Sequence, residues 1–324
     1  MNQILWSPLN LHFGISDMLF NRIASLIIGQ EGGKGRELTG LRFAFSIQKG
    51  STKNPNQCTV RVWNISPDTR AAVEVVGSVL ILKAGYTDDV GAVTIFQGNV
   101  TRSLTVREGA DWITEMELQD GFLEFRDTKV SISFAKGATT TQVIQNIASK
   151  FGLPVRALPV GIENRQYTAG FAFVGRVRDA MDKACEYMGL EWSIQNREIQ
   201  VIKKGGVFKK SAVVLSAQTG MIGSPSKESK TMTEKAAAKE GVTATQPGVQ
   251  KSSRRDKNGT DQEVLRVLGY KVKSLLQPII EPGGYIQMKS KGVDGEFFRV
   301  EELTHNGDTH GNEWHTELTL RYPK

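Results

Sequence analysis

The feature that most constrains the fold is a two-residue alternation of apolar and polar side chains. Large apolar residues occupy every second position over residues 41–47, and the same period returns over residues 112–118. Successive side chains of a strand point to opposite faces of a sheet, so this pattern predicts half-buried strands. Turn signals such as Asn54-Pro55-Asn56 separate the runs. Residues 38–134 are therefore expected to form a first β-barrel or sandwich domain.

The pattern changes after Gly137. Apolar residues at helical spacing predict two helices, which end at Gly152 and Gly189, and two short strands follow at 191–194 and 198–202. Residues 135–206 are thus expected to form a small α+β module, after which the β pattern returns as a second β domain over 207–324. The predicted fold class is mainly β with α+β, with two β-barrel domains that flank the module and a mobile polar loop, and no precise internal sequence repeat is recognised.

Two segments depart from these strand and helix patterns. Residues at about 226–262 are rich in Lys, Glu, Ala, Thr and Ser and poor in large apolar groups, which predicts a mobile polar loop inserted in the second β domain. Residues 1–37 are expected to form an N-terminal extension, whose apolar residues from Met18 to Ile28 have the spacing of a short amphipathic helix. This stretch is too polar to span a membrane, which requires about 20 apolar residues, and it lacks the features of a signal peptide.

Cysteine content and charge narrow the class of protein. Cys58 and Cys185 lie at apolar positions of a predicted strand and a predicted helix, so both are expected to be buried thiols in a chain made in a reducing compartment. The formal net charge is +7. Part of the basic excess falls at 227–257, where aromatic residues that could stack on bases are absent, so no specific nucleic-acid binding is expected.

Candidate chemistry is sparse. His305, Asp308 and His310 are weak candidates for a metal site, but a Gly-rich turn between them fits a polar hairpin better. The sequence contains no Walker loop, GxSxG or HExxH motif. We therefore expect no catalytic residue, no cofactor and no enzymatic activity.

Several short phrases, taken in order, resemble phage baseplate central hub proteins, the late control D-like tail hub family. The resemblance covers roughly residues 38–320, and each phrase is weak when taken alone. The phrases are Asn54-Pro55-Asn56, Trp63-Asn64-Ile65-Ser66-Pro67-Asp68-Thr69-Arg70, Ala84-Gly85-Tyr86, Ile95-Phe96-Gln97-Gly98, the stretch 111–121, the stretch 215–225, Ser274-Leu275-Leu276-Gln277-Pro278, Glu281-Pro282-Gly283, Gly295-Glu296-Phe297-Phe298, and His305 with Gly307-Asp308 before Trp314.

This resemblance implies a structural role in the baseplate of a contractile tail. The family has two tail-tube-like β-barrels in each subunit, so three subunits would present six barrels and match a six-fold tube to a three-fold spike. The implied partners are two further copies of the chain, the tail tube or tube-initiator protein, the central spike, the tape measure protein and baseplate wedge proteins. The implied location is the virion, after assembly in the host cytoplasm.

Two alternatives and one set of surface residues complete the predictions. The chain could instead be a hub with peptidoglycan-hydrolase activity, or a tail-tip adaptor of a non-contractile tail. Strand alternation places four charged residues opposite apolar core positions, so they are predicted to face a subunit interface, a lumen or plain solvent. These residues are Glu115, Glu117, Glu317 and Arg321.

Overall fold

The computed structural model describes residues 21–30, 35–156, 165–208, 211–239, 246–255 and 262–323, together with Leu19, Gly33, Leu158 and Thr243. In the first half the strands are β1 (Arg22–Gly29), β2 (Arg36–Leu38), β3 (Phe43–Gly50), β4 (Gln57–Trp63), β5 (Val79–Tyr86), β6 (Gly91–Glu108), β7 (Asp111–Gln119) and β8 (Lys129–Phe134). The helices there are α1 (Pro67–Val73), α2 (Phe122–Asp127) and α3 (Thr140–Phe151).

In the second half the strands are β9 (Phe171–Arg176), β10 (Leu190–Gln195), β11 (Glu198–Lys203), β12 (Ala212–Ser216), β13 (Met221–Thr233), β14 (Val249–Arg255), β15 (Gln262–Leu275), β16 (Tyr285–Ser290), β17 (Val293–Asp308) and β18 (Trp314–Arg321). The helices there are α4 (Val177–Met188) and α5 (Glu234–Lys239). The predicted predominance of strands is confirmed. Among the described residues, none of the helices has the length and apolar content needed to span a bilayer.

Fourteen of the strands form a single sheet that runs through both predicted β domains. Its main path is β13-β15-β18-β17-β3-β4-β7-β6-β5-β1-β2, and β12, β14 and β16 are attached beside this path. All its strand pairs are antiparallel except β12–β16, which is parallel. Within the described residues the sheet does not close into a barrel.

The two halves of the sheet repeat one topology. The first block has the order β6-β7-β4-β3 and the second has the order β17-β18-β15-β13, so each contains two hairpins arranged in the same way. The long strands β6 and β17 each pair first with a short strand, β5 or β16, and then with the last strand of their block. Both carry a bulge at the same point, between Val100 and Arg102 and between Val300 and Glu302. The chain therefore contains a structural duplication.

A seam of backbone hydrogen bonds joins the blocks, and we use "seam" for the antiparallel pairing of β3 with β17. It runs from Gly50 opposite Glu302 to Ala44 opposite Asp308. Gly307 lies directly opposite Phe45, whose ring also packs edge-on against Trp314 at 5.8 Å. An added Cβ on Gly307 would approach that ring to 2.3 Å, so the absence of a side chain there is what lets Phe45 lie across the seam.

Each part of the chain has its own apolar core. The first block encloses one core and the second block another, while α3, α4, β10 and β11 enclose a third around Trp192. Strands β8 and β9 pair with each other and pack on this third core. The predicted helices and hairpin are thus observed, with α3 capped by Thr139 in a capping box.

The helix predicted near the N-terminus is wrong for residues 22–29. These residues form β1, which pairs along its full length with β5 and also with β2. Leu26 and Ile28 are buried in the first core, so burial in β1 has the two-residue period of a strand. This period is hard to recognise in the sequence because neighbouring residues are also apolar. Residues 1–18 of the predicted extension lie outside the described residues.

The mobile loop predicted at about 226–262 is also wrong for the residues described there. Strand β13 continues to Thr233, α5 and β14 follow, and both strands pair with β15. Backbone hydrogen bonds to β15 offset the entropy cost of ordering this polar sequence. A small apolar core of Met232, Ala237 and Val264 contributes further. We call α5 and β14, which lie between β13 and β15, the arm.

Replacing Gly307 with Ala is expected to destabilise the fold by about 1–3 kcal/mol, because the new methyl group meets the Phe45 ring in a well-packed seam. Gly50→Ala is the matched control, since its Cβ would meet nothing closer than 3.7 Å and the change should stay within about 0.5 kcal/mol. Urea unfolding followed by circular dichroism measures both changes. Equal stability of the two variants would contradict the role given to Gly307.

Candidate assembly surface

The four charged residues predicted from sequence lie on one continuous face of the sheet. Cross-strand partners point to the same side, and one row of partners crosses five strands of both blocks. Glu115 and Glu117 belong to this face on β7, and Glu317 and Arg321 belong to it on β18. We call it the common face; the row consists of Glu117, Thr59, Ser46, Asn306 and His315.

All four residues form cross-strand ion pairs on this face. Glu115 contacts Arg61 at 3.4 Å, and Glu117 contacts Arg102 at 3.1 Å. On the second block, Glu317 contacts Lys273 at 3.6 Å, and Arg321 pairs with Glu228, which also accepts from Lys271. Exposed pairs of this kind contribute about 0–1 kcal/mol each. The result is a hydrated surface of mixed charge that contains both signs in close alternation.

The common face is concave where β13, β15, β18 and β17 meet. A hollow of about 400 Å³ lies there, lined by residues that include Ser226, Lys271, Glu302, Thr304 and Glu317. The apolar cores of both blocks lie on the opposite side of the sheet. This face is consequently free to meet solvent or a partner.

The weak metal candidates do not converge. His305 points into the protein, where its Nδ1 lies 2.8 Å from the Thr316 hydroxyl, and burial lowers its pKa to about 3 with a further contribution from Lys49. Asp308 lies on the common face, accepts from Arg42 at 2.8 Å and caps the backbone N–H of His310. Asp308 therefore links β17 across the seam to Arg42, which immediately precedes β3. Its role is structural.

Both cysteines are buried and free, as predicted. Burial raises the pKa of the Cys58 thiol and that of the Cys185 thiol well above the usual range. Thiolates are therefore scarce at neutral pH, and neither side chain is placed for nucleophilic chemistry.

A buried polar cluster, which sequence reasoning missed, holds the α+β module against the first block. Asp120 is fully buried, and its carboxylate accepts the backbone N–H groups of Asn196 at 2.6 Å and Arg197 at 2.8 Å. These two residues form the β10–β11 turn, with φ of 53° and 64°. The Lys49 ammonium donates to the Asn196 side chain at 2.8 Å. We call this cluster the junction.

The junction places ionisable groups in an apolar setting. Burial raises the pKa of Asp120 to about 6, although the Lys49 charge and the hydrogen bonds of the turn oppose that rise. Burial likewise lowers the pKa of Lys49. Asn56 completes the cluster by donating to the Ile194 carbonyl at 2.7 Å and to the Gln195 side chain at 3.0 Å. Every group is thus fixed by a partner from another part of the chain.

The module is joined to the second block by charge pairs. Arg156 forms two hydrogen bonds with Glu281, at 2.8 and 3.1 Å, and a third with Glu198 at 2.6 Å. Buried Arg299 pairs with Glu191 of β10. The α+β module therefore contacts both blocks and restrains their relative position. The sequence marks the two parts of the junction only as the end of an alternating run at Asp120-Gly121 and as the short connection between the strands predicted at 191–194 and 198–202.

Comparison with known proteins identifies the fold. No protein-family model matches the chain, and no curated protein matches it by sequence. Solved structures do match. The tail protein from Neisseria meningitidis MC58 has a TM-score of 0.58 at 11% identity, covering 93% of this chain and 97% of that one.

Two further structures agree. The 43 kDa tail protein of prophage MuSo2 from Shewanella oneidensis has a TM-score of 0.57 at 10% identity, over 93% and 99% of the two chains. The Escherichia coli c3393 protein, a component of the type VI secretion system with structural similarity to T4 bacteriophage tail proteins gp27 and gp5, has a TM-score of 0.52 at 13% identity, over 87% and 73%. The structural neighbours are thus phage tail and baseplate proteins, and the fold is theirs.

Asp120→Asn is expected to flatten the pH dependence of stability between pH 4 and 6. The native carboxyl, with its pKa raised to about 6, keeps a proton that the unfolded chain releases near pH 4. Its contribution is thus fully present below pH 4 and is lost as the pH rises through 6, by about 3 kcal/mol.

Urea unfolding at intervals of pH measures this difference between the native protein and the variant. Asp294→Asn, at an exposed position in the β16–β17 hairpin, is the control and should leave the slope unchanged. Identical slopes for the native protein and Asp120→Asn would show that Asp120 does not bind a proton in this range.

Proposed function

We propose that this chain is a structural subunit of a phage tail baseplate, the central hub that joins a six-fold tail tube to a three-fold spike. The observation that carries the proposal is the pair of repeated blocks fused side by side through the seam. The similarity to solved tail proteins over nearly the whole chain supports it. The resemblance noted in the sequence points to the same family.

The duplication suits a symmetry adaptor. A ring of identical single-block subunits matches only its own symmetry, whereas a chain with two equivalent blocks lets three copies present six equivalent blocks. The six blocks would meet the tube, and three-fold features such as the α+β modules would meet the spike. A homotrimer that contacts tube or tube-initiator protein, spike, tape measure protein and wedges is the corresponding assembly, located in the virion.

The role proposed here is not enzymatic. Assembly by strand edges and mixed-charge faces needs complementary surfaces rather than a nucleophile and a base. The His305 imidazole is buried and lies within hydrogen-bond distance of the Thr316 hydroxyl. The thiols of Cys58 and Cys185 are buried. A hub with hydrolase activity would reduce the turbidity of purified cell walls, and no loss of turbidity is expected.

We further propose that the common face lines the channel of the hub. The apolar cores lie behind the sheet, and the hollow shows that the face is concave toward open solvent. A concave, hydrated face of mixed charge would let a passing chain or DNA move without strong attachment. Glu115, Glu117, Glu317 and Arg321 are then lumen residues.

The purified protein is expected to bind the spike and the tube-initiator protein of its own particle as a trimer. Light scattering with and without each partner measures the mass of the complexes. A chain that stays monomeric with every partner would overturn the hub assignment. An image of the particle separates the tail types, since a sheath around the tube supports the contractile assignment and its absence supports a tail-tip adaptor.

Glu117→Cys tests the lumen proposal. In assembled particles the thiol should react with a small maleimide that can enter the channel but not with a maleimide carried on a large polymer. Both reagents should label the isolated chain, because Glu117 is exposed. Val174→Cys, at a side chain that is 80% exposed on the α+β module, is the comparison. Labelling of Glu117→Cys by the polymer in particles would contradict a lumen position, and failure of both reagents would indicate an interface.

A further inference from the structure

An apolar groove lies at the side of the second block, along β12 and the chain that leads into β16. It has a volume of about 440 Å³. Its walls include half-buried Val213 and Tyr285, Ile279, which is 40% exposed, and Val90 from the β5–β6 turn of the first block, which is 48% exposed. Pockets of this size and apolar lining ordinarily receive apolar groups. The groove is therefore a docking surface for a partner of that chemistry.

One wall of the groove is a strand edge. Among the described residues, β12 pairs only with β16, and Ala212, Val213 and Val214 are half-buried. The Thr219 hydroxyl accepts the Ser216 N–H at 2.8 Å and donates to the Val214 carbonyl at 2.9 Å, so it closes one end of this edge. The rest of the edge can accept an extended segment alongside it.

The chain that leads into β1 passes beside this groove. Leu19 packs against the first core and lies next to Gly220, where an added Cβ would approach the Leu19 Cδ1 to 2.9 Å. The Asn21 side chain donates to the Asp88 carboxylate at 2.7 Å. The residue before Gly220 and the residue after Asp88 both line the groove. The part of the chain that precedes Leu19 therefore starts at the groove.

The sequence of that part has the chemistry that the groove selects. Residues 1–16 contain no Asp, Glu, Lys or Arg. Leu9, Leu11 and Phe13 alternate with polar residues, a pattern that gives an extended segment one apolar face. An apolar face of this kind favours burial against another apolar surface.

We propose that residues 9–13 dock in extended form in the groove of their own chain, with Leu9, Leu11 and Phe13 against it. The six residue steps from Phe13 to Leu19 span up to about 20 Å, which reaches the groove from the contact at Gly220. So short a connection gives the segment a high effective concentration at the groove, so docking within the chain is favoured over docking on another copy. This inference is independent of the proposed function.

Protection of a thiol in the groove tests this docking in the full chain. Ile279→Cys should react with a maleimide about ten-fold more slowly than the same variant carrying Leu11→Asp and Phe13→Asp, because carboxylates do not enter an apolar groove. Asn10→Asp with His12→Asp is the matched control, since it adds the same charges to the opposite face of the segment and should keep the protection. The native cysteines are buried and do not interfere.

The rates decide between the possible occupants of the groove. Equal rates for Ile279→Cys in all three backgrounds would overturn the proposal, as would loss of protection with both charged pairs. Protection that grows with protein concentration would place the segment on another copy and would equally overturn it. Val174→Cys, at a side chain that is 80% exposed, should react at one rate in every background and so shows that the variants remain folded.

Cross-linking locates the segment without adding charge. Leu11→Cys with Ile279→Cys, treated with a short bifunctional maleimide, should give a link within one chain, seen as a joined pair of peptides in the mass spectrum of the monomer. Leu11→Cys with Val174→Cys is the control and should stay unlinked. Links between chains, or equal linking of the two pairs, would contradict docking of the segment on its own chain.

Discussion

The structure depends on the requirement that backbone donors and acceptors at the edge of a sheet find partners. The first block would end at β3 with an unpaired edge if the second block were absent, and β17 supplies the missing partner. The seam then fixes the side-chain register on both faces, since a slip of one residue would exchange them. Phe45 and Trp314 can pack together only in this register, and the common face is continuous for the same reason.

The junction adds a second, more specific restraint. Apolar packing between the module and the blocks would tolerate sliding, but a buried carboxylate that accepts two backbone N–H groups tolerates very little. Asp120 and Lys49 are costly to bury, and they are compatible with the fold only when the β10–β11 turn is in place. We infer that the cluster sets the orientation of the module more than it stabilises the chain, because an apolar replacement of such groups is often as stable.

Much of the local structure could be predicted from the sequence, and most of the long-range structure could not. Helices such as α4 have strong periodic signals and a terminal Gly189, and the predicted positions were correct. Strand β1 was missed because its apolar residues fit two periods and only pairing with β5 decides between them. The polar strand β13 is ordered because it pairs with β15. Such long-range hydrogen bonds cannot be predicted from amino-acid composition. Strand alternation could predict that Glu115, Glu117, Glu317 and Arg321 lie opposite the apolar core positions, but it could not predict the seam that places them on one face.

The arm between β13 and β15 replaces a short turn of the first block. There, residues 51–56 connect β3 to β4, whereas the second block inserts α5 and β14 at the corresponding hairpin and supports them with a separate small core. The two cores do not share residues, so the arm can lengthen, shrink or change its chemistry without disturbing the register of the sheet. This hairpin could therefore be diversified, or could carry a grafted foreign domain, while the seam is kept.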